Sequence, residues 1–247
     1  SNHIVFGPSR RPAFARRGME FDWSPIRLAV FDVDGTLYRQ KPLRARMAAE
    51  LALAVLQDPK QVKSVIGLQR FRSLRDRLAE RPGASLAEIE GELIPSALGL
   101  SSDRLAAITD EWLERRPLRH LSRYRFEQVE DLFQALRESG RTIAVFSDYP
   151  AESKLAAMGL RSDICVSARD TDVDRLKPDP AGLQKILRLS GFGPDQAVMI
   201  GDRPERDGAC AQQLGVRFWL RSDSAGPETH SFGNYADLLS ALKSANT

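Results

Sequence analysis

The chain has 247 residues and only two cysteines, Cys165 and Cys210. Two thiols make no disulfide framework in a chain of this size, and both read as small buried hydrophobes. Histidine is as scarce: His3, His120 and His230 are scattered, so no His/Cys spacing suits zinc. No apolar run approaches the roughly 20 residues that span a bilayer, and no repeat or low-complexity tract is present. A surplus of one charge is also missing from the body of the chain. Residues 1–18 hold Arg10, Arg11, Arg16 and Arg17 and no acid; without those four, 32 Lys and Arg face 33 Asp and Glu, a formal charge of −1 instead of +3. The basic balance therefore belongs to a short tail and gives no support to nucleic-acid binding. That tail has too short an apolar stretch for a secretory signal and reads as a disordered leader or as residues upstream of a start at Met19. The expectation is a cytoplasmic protein, monomer or homodimer, with no membrane or nucleic-acid partner.

What the chain does have is organised around Leu28-Ala29-Val30-Phe31-Asp32-Val33-Asp34-Gly35-Thr36. A continuous apolar run of this length reads as a strand buried on both faces, broken by Gly35. In an extended strand, residues i and i+2 point the same way. Asp32 and Asp34 are therefore expected close together at the carboxyl end of a buried strand, where open α/β sheets bind ligands.

Residues 42–120 then read as all-helical. Leu43, Met47, Leu51 and Val55 repeat at helical spacing, and a second stripe runs from Val62 to Leu78. Arg81-Pro82-Gly83 is expected to stop that helix. Ser85 with Glu88 makes a capping-box pattern. Pro95 is expected to end or kink the next helix, and Pro117 to close the one starting near Ser101. Arg70, Arg72, Arg75 and Arg77 scatter around their helix and read as solvated. Strands near residues 142–146, 164–167, 197–200 and 216–220 alternate afterwards with helices. The pattern predicts a doubly wound, Rossmann-like parallel sheet formed by residues 19–41 and 121–247, with residues 42–120 inserted as a helical cap.

Polar residues fall at the ends of separate strands: Asp32 and Asp34, Ser147, Asp202 and Asp207, with Lys177 after a long loop. Taken singly, each has a plain reading. Ser147-Asp148 is a strand end meeting a helix cap, Lys177-Pro178 a surface turn, Asp207 a complement to a helix N-terminus. Together, four carboxylates, a hydroxyl and an ammonium suit phosphoryl transfer. Clustered carboxylates need a cation, and hard oxygen ligands select Mg²⁺. A carboxylate can attack phosphorus, a second can move the proton, and Lys and Ser can bind the equatorial oxygens.

Asp32-Val33-Asp34-Gly35-Thr36, Ser147, Lys177-Pro178 and Gly201-Asp202-Arg203-Pro204-Glu205-Arg206-Asp207, in that order, resemble the four motifs of the haloacid dehalogenase superfamily. The helical insertion is similar to the cap of its phosphoglycolate phosphatase-like branch. The resemblance implies a central first strand and a role for each residue. Asp32 would be the nucleophile and a Mg²⁺ ligand. Asp34 would be the general acid/base, its backbone carbonyl on the metal. Ser147, with Asp148 beside it, would bind the phosphoryl oxygens, and Lys177 would hold the phosphoryl group and steady Asp32. Asp202 would ligate the metal directly, and Asp207, or its rival Glu205, would support it. The superfamily's dehalogenases lack the second aspartate, so Asp34 points to an ester leaving group that needs a proton. The implied partner is a small phosphorylated metabolite. The alternatives are a phosphomutase and a catalytically silent binding protein on the same fold.

Overall fold

The computed structural model describes residues 21–80, 85–224 and 230–246. The basic tail and the Arg81-Pro82-Gly83 helix stop lie outside the described residues. Strands β1 (Leu28–Phe31), β2 (Thr142–Ser147), β3 (Ile164–Ser167), β4 (Ala197–Gly201), β5 (Arg217–Arg221) and β6 (Ser231–Phe232) form one sheet. All its pairings are parallel, in the order β3-β2-β1-β4-β5-β6, so the first strand is central, flanked by β2 and β4.

The unbroken apolar sequence of β1 follows from that position. Ala29 and Phe31 join a cluster containing Leu132, Phe133, Leu155 and Leu238. Leu28 and Val30 join another, on the opposite side, with Leu183, Ile186, Cys210 and Ala211. Helices Val129–Glu138, Glu152–Ala157 and Tyr235–Ala245 supply the first layer, and Ala181–Ser190 with Ala209–Gln213 the second. With both faces covered, alternation of polar and apolar residues has no role. Both cysteines are free thiols; Cys210 is buried and Cys165 partly so. The sixth strand has two residues and no apolar run, so the sequence offers no sign of it.

Among the described residues from 40 to 124 the chain is mainly helical: α1 (Gln40–Gln57), α2 (Val62–Ala79), then helices over 86–98 and 102–124. Ser85 caps the third, its Oγ accepting from Glu88 N at 3.2 Å. Ser101 caps the fourth in the same way, accepting from Arg104 N at 3.3 Å. Pro117, expected to close its helix, does not, and Pro95, expected to end or kink its helix, does not end it. Each follows a widened turn in which the preceding residue bonds five positions back: Ile94 N to Ile89 O, and Arg116 N to Glu111 O. The extra residue per turn makes room for a ring that lacks a donor and crowds the carbonyl behind it. The third helix stops instead at Gly99, whose φ of 63° closes it in left-handed geometry.

Arg75 also departs from expectation. Arg70, Arg72 and Arg77 are exposed, but Arg75 is buried, stacked over the Tyr149 ring at 4.2 Å and paired with Glu90. Its Nη2 donates to the Asp148 carbonyl at 2.6 Å. One turn of helix thus ties the inserted helices to the loop after β2. A second tie joins Arg206 to Asp76 at 2.9 Å.

Candidate active site

Strand β1 ends at Phe31, and Asp32 continues its line by donating from N to Ile200 O at 2.9 Å. The Asp32 carboxylate is buried, 3% exposed. Thr36 Oγ1 donates to its Oδ2 at 2.8 Å, and Lys177 Nζ to its Oδ1 at 2.5 Å. The same ammonium reaches Asp207 Oδ1 at 2.7 Å and Phe146 O at 3.2 Å. Three protons meet three acceptors, so Lys177 has one place to be. Burial by itself would drive proton loss; Asp207 and Asp32 outweigh it and hold Lys177 firmly charged.

Asp34 does not share this company. Asp34 Oδ1 accepts instead from Tyr38 OH and from Lys154 Nζ, each at 2.6 Å. Burial would raise its pKa, but the Lys154 ammonium and the Tyr38 hydroxyl prevail and hold the carboxyl below the usual range. Both bonds land on one oxygen, and no hydrogen bond from the described residues reaches Oδ2. Tyr38 and Lys154, 4% and 5% exposed, were not singled out by sequence. Tyr38 lies just past the first motif, while Lys154 looks like any lysine on a short helix. Only packing places it beside Asp34.

Asp202, directly after β4, and Asp207 complete the acidic group. One oxygen from each of Asp32, Asp202 and Asp207 lies within 4.8 Å of the others. Asp207 Oδ2 accepts from Arg203 N at 3.1 Å. Glu205 is exposed while Asp207 is wholly buried, so Asp207 is the member of the pair that joins the cluster. Burial pushes Asp32 up to about 7; the Asp207 and Asp202 carboxylates add to this, and Lys177 opposes it. Burial and then Asp207 push Asp202 up to about 6. Asp202 Oδ1 is buried and has no hydrogen-bond partner among the described residues. An orphaned carboxylate oxygen beside two more carboxylates is a donor set that fits a hard divalent cation.

Gly35 makes the cluster geometrically tolerable. Its φ is +96°, and a Cβ there would lie 2.2 Å from Asp202 Oδ2. A Gly35→Ala substitution is expected to cost at least about 1–2 kcal/mol from the backbone alone, and to displace Asp202. A urea unfolding midpoint equal to the wild type would contradict this reading.

Ser147 ends β2 and is 1% exposed; its Oγ accepts from Tyr149 N at 3.2 Å. Asp148 Oδ1 accepts from Lys177 N at 3.3 Å, and Oδ2 from Arg203 Nη2 at 3.0 Å, with Arg206 Nη1 at 3.6 Å. Burial would raise its pKa, but Lys177, Arg203 and Arg75 hold it low. Its carboxylate is therefore committed to tethering three loops.

Asp32, Asp34, Ser147, Asp148 and Lys154 face a cavity of about 990 Å³ that continues between α1 and α2. Among the described residues no helix is long and apolar enough to cross a membrane.

The profile of haloacid dehalogenase-like hydrolases matches residues 26–215. A phosphoglycolate phosphatase from Rhodospirillum rubrum is 30% identical over 204 residues, covering 76% of this chain and 76% of its own. A validoxylamine A 7'-phosphate phosphatase from Streptomyces hygroscopicus subsp. limoneus is 26% identical over 183 residues, 72% of this chain and 78% of its own. The crystal structure of a 2-haloacid dehalogenase from Pseudomonas syringae pv. Tomato DC3000 superposes with a TM-score of 0.62, covering 89% of this chain and 99% of that one at 23% identity. A profile match of that length, over a parallel sheet whose strand ends carry the motif residues, makes this chain a member of the haloacid dehalogenase-like hydrolase family.

Proposed function

We propose that this hydrolase is a Mg²⁺-dependent phosphatase of a small-molecule phosphate monoester, working through an aspartyl-phosphate on Asp32. The carrying observation is that Lys177 binds Asp32 and Asp207 together while the adjacent Asp202 Oδ1 is left without a partner among the described residues. The Asp32 and Asp202 carboxylates and the Asp34 backbone carbonyl would hold Mg²⁺, with Asp207 in support. When bound, the ion neutralises the carboxylates and the phosphoryl oxygens.

The chain's own groups account for the rest. Ser147 Oγ and Lys177 Nζ bind phosphoryl oxygens. An Asp32 oxygen forms a bond to phosphorus as the ester P–O bond breaks. The departing alkoxide takes a proton from Asp34, whose Oδ2 is the oxygen not engaged by Tyr38 and Lys154. Asp34 is held acidic in the free protein; a phosphoryl dianion bound beside it raises its proton affinity, as like charges do. Asp34 then removes a proton from water, which attacks the aspartyl-phosphate and releases phosphate and Asp32. The presence of Asp34 favours an ester over a carbon–halogen bond, because a halide leaves without a proton. Closure of the helices over the site would exclude bulk water.

The test is phosphate release from a panel of monoesters. Release that depends on Mg²⁺, stops with chelator and returns when Mg²⁺ is restored is the expected result. Chelator-insensitive release would overturn the metal's part. A rearranged ester without net phosphate would mark a phosphomutase.

A further inference from the structure

Helix α1 carries Leu43, Met47, Leu51 and Val55 at the spacing of a core-facing stripe, yet only Leu43 is buried. The other three line the cavity that opens from the catalytic floor. Opposite them, α2 presents Val65 and Ile66, and Trp112 closes the side. Hydrophobic exposure concentrates at the far end, where Leu56 is 81%, Val62 43% and Ile66 45% exposed. Eighteen residues of α1 at 1.5 Å each span roughly 27 Å, and the trough runs along most of that length. Arg44 and Arg72 line its near end, beside Asp34, and place positive charge next to the phosphoryl position.

A cavity of about 990 Å³ is at the upper end of pockets that enclose a drug-sized ligand. A two-carbon ester would occupy its floor and leave the apolar walls to water, which needs two to four polar partners that these side chains do not provide. The trough is continuous with the site: an ester held by Ser147 and Lys177 must send its alcohol past Asp34 and between α1 and α2.

Resting on the phosphatase reading, we propose that the trough between α1 and α2 binds the leaving group, and that the substrate is a phosphate monoester of an alcohol with an extended hydrophobic body.

The experiment measures kcat/KM for ethyl, butyl, hexyl, octyl and decyl phosphate, each below its micelle-forming concentration, on the full chain with Mg²⁺. The expected result is a rise of roughly two- to fourfold per added methylene, as burial of a CH₂ gives. Ala52 lines the trough away from Asp32. Ala52→Trp should fill it and flatten the series, and Leu51→Lys should do the same by charging its wall. A flat or falling series, or an unchanged slope in both variants, overturns the proposal while leaving the phosphatase reading intact. A flat series together with a concentration-dependent dimer would assign the trough to a second copy of the chain, which also overturns it. No release from any ester would instead defeat the phosphatase reading, and this inference with it.

Discussion

Asp32→Asn is expected to lower phosphate release by about 10⁴-fold or more, the scale on which loss of a nucleophile acts, while leaving the fold intact. The amide keeps the shape of the carboxylate: its Oδ1 can still accept from Lys177 while Nδ2 donates to the Thr36 hydroxyl, but it cannot form the acyl phosphate. Stability should move the other way in metal-free protein. Burial and the neighbouring carboxylates push the Asp32 pKa up to about 7 in the folded state, against roughly 3.9 in an unfolded chain. Between those values the native state holds a proton that the unfolded state has lost. Wild-type stability from this group is therefore greatest at low pH and falls as pH rises from about 4 to 7. Asn carries no such penalty. Without Mg²⁺ the variant should be at least as stable as the wild type above pH 7, and the difference should vanish near pH 4. Chemical denaturation at both pH values, beside acid-quenched trapping of phosphoprotein, checks the two halves separately. Turnover near the wild-type rate in Asp32→Asn would exclude Asp32 as the nucleophile.

Lys177→Met should cost both activity and stability. Its ammonium is wholly buried and bridges Asp32 and Asp207, at 2.5 and 2.7 Å. Removing one member of a buried ionic group strands the others without compensation, at a cost of about 3–5 kcal/mol. Here two carboxylates are stranded, next to a third. The loss should be largest above pH 7 without metal, and should shrink toward acid pH as Asp32 and Asp202 take up protons. Mg²⁺ should restore part of it, because it answers the same charge. Urea unfolding at pH 8 and pH 5, with and without Mg²⁺, makes the comparison. The double variant Lys177→Met with Asp207→Asn should recover stability but not activity, since phosphoryl binding by the ammonium stays lost. A pH-independent loss would mean that Lys177 matters through its packed methylenes, with little contribution from charge.

Three of the four motifs were legible because each sits where an apolar run stops, while Lys177 follows a polar loop. Asp32 follows β1, Ser147 ends β2, Asp202 follows β4, and the parallel sheet gathers those ends on one edge. The resemblance then assigned roles that spacing alone left open. Strand geometry carried less: it put Asp32 and Asp34 together at the strand's end, where both line the cavity, but gave no sign that the two carboxylates pair with different cations, Lys177 and Lys154. Choosing Asp207 over Glu205 also needed coordinates, since both acids lie in one turn and only burial separates them.

The helical insertion shows the same division. Its existence, its caps at Ser85 and Ser101 and the spacing of its apolar stripes are properties of local sequence, fixed by hydrogen bonds and side-chain periods within a few residues. What each stripe faces is not local. The α1 stripe borders an open trough, and Arg75, one of four similar arginines, is drawn inside by Glu90, Tyr149 and the Asp148 carbonyl. Pro95 and Pro117 pass through helices because a widened turn precedes each. By itself, the sequence determined the order of elements, the central strand's burial and which polar residues end the strands, all of which depend on residue type and short-range spacing. Only tertiary structure decided which cation meets which carboxylate, which oxygen of Asp202 is left unpaired, and how much space lies between α1 and α2. Those depend on distances between segments that are far apart in the chain.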